Sequence, residues 1–258
     1  MVVGLETFKE YFKDFQDCYL IIGGTACDII IEAAEFTPRA TNDIDVILII
    51  EAIGNKQGFV KRFWEFVNDG QYTVQQKDNE KRNCYRFREP KTENFPQQVE
   101  LFCRVPDVID LIEGAHLTPI PVEEGLSSLS AILLDEVYYQ YVREHTDEKD
   151  DVHFANTEAL IVLKAFAFLS NTARKEEGQN VNSKDIEKHR NDVFRMTFML
   201  KGDDSFDLPE SIKKDMQRFV DSIKKDLPHP DIFKKNGFGT QDMQAVFNQL
   251  VKSFGLTK

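Results

Sequence analysis

The 258-residue chain has few cysteines and no long apolar run, and both shortages exclude classes of protein. Its four cysteines, Cys18, Cys27, Cys84 and Cys103, form no CxxC pair, so a zinc knuckle, a thioredoxin-type site and a disulfide framework have no support. No apolar stretch reaches the roughly 18 residues that a membrane span needs. The first residues also lack the basic-then-apolar pattern of an export signal. We therefore expect a cytoplasmic protein that does not enter a membrane.

Several catalytic signatures are missing as well, and positive charge is scarce in one half. The sequence contains no GxxxxGK[ST], which argues against a P-loop enzyme, and no GxSxG. The net charge of −12 divides into −13 for residues 1–150 and +1 for residues 151–258. Because a duplex-DNA clamp needs a basic field, we expect no duplex DNA among the partners. An RNA substrate, if there is one, is expected over the second half.

What is present is an ordinary globular composition, 41% hydrophobic and 29% charged, whose pattern changes along the chain. Periodicity predicts helices over 5–15, 25–36 and 57–67, and strands over 18–22, 43–51, 72–76, 84–88 and 99–105. A helix over 137–145 and an acidic loop over 146–151 then precede helices over 158–170, 184–200, 209–226 and 241–254. The predicted fold class is α/β (α+β), with an α/β domain over 1–125, a connecting segment over 126–157 and a helical domain over 158–258.

The segment 21–51 holds the residues that are most informative about chemistry. A predicted strand runs into Gly23 and Gly24, and Thr25 is expected to cap the helix that follows. Glycines let a backbone approach a phosphate closely, and a new helix N-terminus offers unpaired N–H groups to an anion. Taken alone, this pattern favours a simple tight turn between a strand and a helix.

Acidic residues follow at a spacing that suits metal binding. Asp43 and Asp45 open a predicted strand, and side chains two apart on a strand face the same way. Two such carboxylates can hold divalent cations, as two-metal phosphoryl chemistry requires. Glu100 lies in an apolar strand pattern, where an unpaired acid costs several kcal/mol. The ordinary alternatives are a solvent-facing strand start for the aspartates and an edge-strand position for Glu100.

These motifs together resemble the nucleotidyltransferase superfamily that includes DNA polymerase beta and the minimal nucleotidyltransferases. The resemblance rests on GG-T-A-x-D at 23–28, R-x-T-x-D-I-D-V at 39–46 and the later acidic strand. In the second half, ALIVLKAFAFL and SKDIEKHRNDVF are similar to C-terminal motifs of the AbiEii-type nucleotidyltransferases, the toxin arm of type IV toxin–antitoxin systems. The resemblance covers about residues 18–200. One departure is that the third acid, often Asp in the family, is Glu100 here.

The resemblance implies a nucleotidyltransferase-type mixed sheet followed by a helical C-terminal domain. It implies Mg²⁺ or Mn²⁺ at the catalytic residues Asp43, Asp45 and Glu100, with Glu100 either as a metal ligand or as the base for the acceptor hydroxyl. An NMP would move from NTP to a hydroxyl acceptor on RNA, tRNA or protein, with release of pyrophosphate. A cognate antitoxin is an implied partner. The implied nucleotide-binding residues are Gly23, Gly24, Thr25, Arg39, Thr41, Lys164, Lys188 and Asp192.

Alternatives remain open at two levels. A small-molecule adenylyltransferase of the antibiotic-modifying type would share the same donor site, and a non-catalytic protein of the same fold could bind a nucleotide or a partner. Among the helical residues, Lys164 could simply snorkel to water, and Lys188 and Asp192 could form an ordinary i,i+4 pair. The presence of all three acids favours an enzyme.

Overall fold

The computed structural model describes residues 3–38, 41, 43–48, 56–74, 84–102 and 135–257. Within these ranges the strands are β1 Tyr19–Ile22, β2 Asp43–Leu48, β3 Thr73–Val74, β4 Cys84–Arg88, β5 Gln98–Phe102, β6 Thr146–Lys149 and β7 Val152–Ala155. They form one mixed sheet in the order β3-β4-β5-β2-β1-β7-β6. β2 is parallel to β5 and β1 is parallel to β7, whereas the other neighbouring pairs are antiparallel.

Helices flank the sheet and make up most of the second half. Their bounds are α1 Leu5–Phe12, α2 Gly23–Ala33, α3 Lys56–Asp69, α4 Glu136–Glu144, α5 Thr157–Glu176, α6 Ser183–Phe198, α7 Glu210–Ile223 and α8 Met243–Ser253. The predicted fold class, a mixed α/β sheet followed by helices, is therefore confirmed. No helix in the described part of the chain is both long and apolar enough to cross a membrane.

Aromatic side chains cover one face of the sheet. Tyr19 of β1 and Phe87 of β4 lie on this face, where they meet rings from α1 and α3. Phe12 of α1 and Phe66 of α3 are fully buried, with ring centroids 5.5 Å apart. Burial of several phenylalanines in one place supplies much of the apolar area that stabilises the sheet. Because this face is filled, the polar side chains of the central strands can share only the opposite face.

The predicted acidic loop over 146–151 was wrong, because these residues belong to a β-hairpin. β6 pairs with β7 from Thr146 opposite Ala155 to Lys149 opposite Val152. Asp150 and Asp151 form the two-residue connection, both with positive φ, as tight hairpins with primed turns require. The sequence pattern hid the strand because β6 is an edge strand of mainly exposed polar residues and shows no apolar alternation. The predicted division into domains remains a prediction, but this hairpin from the connecting segment completes the sheet.

The helical half packs against the sheet through α5. This helix contacts α2, α6, α7 and β7, and its residues from Ala159 to Leu163 are buried. A second connection joins the end of α2 to the segment before α8. There the backbone N–H of Thr37 donates to the Asn236 carbonyl, and the Asn236 side chain donates to the Thr37 carbonyl. The two halves are thus joined at two separate places.

Candidate functional site

The turn between β1 and α2 lies directly against the acidic strand. Gly23 has a φ of 74°, and a Cβ atom there would lie 2.0 Å from Oδ2 of Asp45. Any larger residue would therefore displace this carboxylate as well as strain the backbone. Helix α2 begins at Gly23, so Thr25 is inside the first turn and is not the cap that we predicted. Its buried hydroxyl instead donates to the Asp43 carbonyl over 2.6 Å, which fixes the helix start to the start of β2.

The register of three neighbouring strands brings the polar residues into two rows. Residues directly opposite each other on paired strands share a face of the sheet. Asp45 of β2 is opposite Glu100 of β5, which in turn is opposite Arg86 of β4. Two residues further along the same strands, a second row contains three more polar residues: Asp43, Gln98 and Arg88. The structure thus brings all three predicted acids together on one face.

Glu100 is buried and held by one of its oxygens. Its side chain is 3% exposed, and Oε1 accepts hydrogen bonds from Nε of Arg86 at 2.7 Å and from Nε2 of Gln98 at 3.0 Å. Nη2 of Arg86 lies 2.6 Å from the same oxygen. Oε2 is buried as well and accepts no hydrogen bond from any residue that the structure describes. One lone-pair-bearing oxygen next to Asp45 is therefore left for another ligand.

Negative charge is crowded around Asp45. Burial, and then the neighbouring charges of Glu100 and Asp43, raise the pKa of Asp45 to about 7, against the opposing effect of Lys164 and Lys188. Asp43 is exposed, whereas Asp45 is half-buried. A group of carboxylates that resist ionising together is a setting in which a bound cation is strongly favoured.

The two lysines that act on Asp45 come from the helical half. Lys164 of α5 is 1% exposed, so its ammonium does not snorkel to water. It lies 3.4 Å from Oδ2 of Asp192 on α6, and Oδ1 of Asp192 accepts from Arg195 over 2.9 Å. Lys188 is exposed on α6. Helices α5 and α6 therefore bring cationic side chains close enough to act on the acidic strand.

The donor set fits a divalent cation through the two aspartates, with Glu100 contributing at most one oxygen. Carboxylate oxygens are the ligands that Mg²⁺ and Mn²⁺ prefer. In the described ranges, no group of three or more His, Cys, Asp or Glu side chains is already arranged as a metal site. Glu100 is not arranged as a metal ligand because its ion pair with Arg86 holds one of its oxygens towards β4. Oε2 remains the oxygen that a metal could use.

The other predicted site residues differ in how much the structure says of them. Gly24 is buried in the first turn of α2, and Thr41 is half-buried two residues before β2. Arg39 lies outside the described residues.

Sequence reasoning missed Arg86 and Arg88. Their alternation along 84–88, beside a predicted strand that contains Glu100, was the signal that could have found them.

Comparison with known proteins gives a likeness among solved structures only. No protein-family model matches the chain, and no curated protein matches it. Among solved structures it is similar to an antigenic nucleotidyltransferase-like protein from Paracoccidioides brasiliensis, with a TM-score of 0.42 and 17% identity over 95% of this chain and 97% of that one.

Because Glu100 is buried with Arg86, we expect removal of Arg86 alone to destabilise the protein more than removal of both charged groups. Arg86→Met leaves Glu100 charged and buried without its partner, so we expect the free energy of unfolding to fall by about 3–5 kcal/mol. Adding Glu100→Gln removes that charge and should restore at least half of the loss. Arg88→Met, at a half-buried position with one hydrogen bond to Gln98, should cost only about 1 kcal/mol. Urea unfolding measures all three, and a loss under about 1 kcal/mol for Arg86→Met would contradict the pairing.

Asp45 predicts a pH dependence in the metal-free protein. Because its pKa is higher in the folded state, the folded state binds more protons than the unfolded state between the usual carboxyl range and pH 7. Stability is therefore greatest at low pH and is lost as the pH rises through about 7. In EDTA, the melting temperature of the wild type should fall between pH 5 and pH 8 by several degrees more than that of Asp45→Asn. Asp203→Asn, at an exposed site, is the matched control and should behave as the wild type.

Proposed function

We propose that the protein is a metal-dependent nucleotidyltransferase that moves an NMP from NTP to a hydroxyl acceptor and releases pyrophosphate. The observation that carries the proposal is the juxtaposition of Asp43, Asp45 and Glu100 on one sheet face with the glycine turn at the start of α2. Acidic ligands and a helix N-terminus are the two features that a metal-bound triphosphate needs.

Each group has a role that its position supports. Asp43, Asp45 and Oε2 of Glu100 would hold the metal, which when bound neutralises charge on the triphosphate and the attacking oxygen. The backbone of Gly23, Gly24 and Thr25 can approach the phosphates, since the N–H groups of the first helical turn have no partner within the helix. Lys164 and Lys188 balance the phosphate charge from the helical side.

The finer assignment is to an AbiEii-type enzyme with a toxin role and a cognate antitoxin. It is supported by the two helical motifs, which place Lys164 against Asp192 and set Lys188 on the same helix as Asp192. A cytoplasmic location belongs to the same proposal. The role requires that expression of the wild type arrests growth of the host cell while Asp45→Asn does not. Equal growth with both proteins would remove the toxin role and leave the enzyme class intact.

The chemistry is tested by transfer of label from [α-³²P]NTP, with all four NTPs, to total RNA and to small hydroxyl compounds. Asp43→Asn and Asp45→Asn should each lower transfer at least a thousandfold, because each removes a charged ligand while the fold is kept. Asp203→Asn should keep full activity. Full activity of either site variant would show that the metal assignment is wrong.

A melting experiment separates this enzyme from a simple binding protein. NTP with Mg²⁺ should raise the melting temperature, since a ligand at a hundredfold excess over its Kd contributes about 2.7 kcal/mol. NTP with EDTA should not. An equal, metal-independent shift that survives Asp45→Asn would instead favour a non-catalytic nucleotide-binding protein.

A further inference from the structure

Two arginines lie beside the candidate site on the side away from the lysines. Arg86 and Arg88 are two residues apart on β4, so both are on the sheet face that carries the three acids. β4 is two strands from β2, which corresponds to about 10 Å across the sheet. Lys164 belongs to α5, which contacts α2 and β7 on the other side of β2. The acids are thus flanked by cationic groups on both sides.

The two arginines differ in what they are bonded to. Arg86 is 9% exposed and is committed to Glu100 through two nitrogens. Arg88 is half-buried and donates only through Nε, to Oε1 of Gln98 at 2.6 Å. Its two Nη groups make no hydrogen bond or ion pair with the residues that the structure describes. Gln98 in turn donates to Glu100, so the guanidinium of Arg88 is tied to the site by a continuous chain of hydrogen bonds.

The electrostatics of Arg88 also indicate a place for an anion. Burial, followed by the adjacent charge of Arg86, lowers the pKa of the Arg88 guanidinium, against the opposing effect of Glu100, Asp43 and Glu89. Because the two guanidinium groups are close enough to repel each other, a bound anion would lower their electrostatic energy. The unused edge of Arg88 presents parallel N–H donors, and this geometry matches a phosphate group in a bidentate contact.

The geometry of nucleotidyl transfer indicates which substrate the free Nη groups of Arg88 would face. Attacking and leaving oxygens lie on opposite sides of the phosphorus in an in-line displacement. The triphosphate, and hence the leaving pyrophosphate, is proposed at Gly23 and the lysines, on the β1 and α5 side. The acceptor hydroxyl must therefore approach from the side of β5 and β4, which is where Arg88 lies. This position is in the first half of the chain, whereas net charge alone led us to expect an RNA substrate over the second half, because net charge does not show the local pair of arginines on β4.

We propose that Arg88 binds a phosphate group of the acceptor, and that the acceptor is consequently a nucleotide or the end of an RNA strand. The inference rests on the proposed nucleotidyl transfer and narrows its acceptor. The acceptor oxygen forms a bond to the α-phosphorus of NTP, the bond from that phosphorus to pyrophosphate breaks, and the hydroxyl proton passes to water. Arg88 takes no part in these bond changes. It holds the neighbouring phosphate against the repulsion of the acidic face.

The test compares acceptors that share a 3′-hydroxyl and differ in phosphate: adenosine, 5′-AMP with a phosphomonoester, and the dinucleotide ApA with a phosphodiester. With label transfer as the readout, Arg88→Met should raise KM for the phosphate-bearing acceptor at least tenfold and change KM for adenosine less than twofold. Arg88→Lys keeps the charge without the paired donors and should fall between. Arg62→Met, a solvent-facing arginine of α3 in the same acidic half, should match the wild type. Whichever of 5′-AMP and ApA responds identifies the source of the phosphate.

A binding measurement keeps this proposal separate from the proposed function. Fluorescence anisotropy of a 5′-labelled oligoribonucleotide and competition by 5′-AMP, both with Mg²⁺ and without NTP, give Kd for each variant. A tenfold weaker Kd for Arg88→Met, with Arg62→Met unchanged, supports the phosphate contact even if no variant transfers label, in which case the enzyme proposal alone fails. Equal Kd values for Arg88→Met and the wild type, equal losses for adenosine and 5′-AMP, or no binding by the wild type would each overturn the assignment of Arg88.

Discussion

Repulsion between Asp45 and Glu100 is the constraint on which the polar face of the sheet depends. The two residues are directly opposite on adjacent parallel strands, about 5 Å apart at the backbone. At that separation, two like charges in an effective dielectric of about 20 repel by on the order of 3 kcal/mol. The chain compensates from both sides, with Arg86 bonded to Glu100 and with Lys164 and Lys188 acting on Asp45.

This arrangement also explains why the site lies between two parts of the chain. Strands β2, β5 and β4 supply the acids and arginines, whereas the lysines come from α5 and α6 more than sixty residues later. Near the site, the strands carry an excess of negative charge, and the helices supply the positive charge of Lys164 and Lys188. Because Thr37 and Asn236 bond the end of α2 to the segment before α8, the position of the lysines relative to the acids is fixed by the fold as a whole.

Much of the fold and part of the site could be predicted from the sequence. Apolar periodicity located the central strands and the long helices, and the spacing of Asp43 and Asp45 predicted their common face. The place of Glu100 on a neighbouring strand was implied only by the family resemblance. The pairing of Arg86 with Glu100 could not be predicted, because it depends on strand register, which a single sequence does not fix. The bond from Thr25 to the Asp43 carbonyl depends on the packing of α2 against β2, which the sequence does not show either. Strand β6 was missed for a different reason: a strand that buries no apolar face carries no periodic signal. Its buried partner β7 has only four residues, which is too short for a clear pattern. The sequence singled out Lys164, but its burial against Asp192 could not be predicted because it depends on how α5 packs against α6.

The hairpin at the end of the sheet has a consequence for how copies of the protein meet one another. β6 is an edge strand whose outer backbone groups have no partner strand in the described sheet. Such edges tend to pair with the edge of another molecule and start aggregation. Here the edge carries Asp147, Glu148 and Lys149, and the turn beside it adds Asp150 and Asp151. A second copy approaching edge to edge would meet the same excess of negative charge, so the polar composition that concealed the strand in the sequence also disfavours pairing of this edge with another copy.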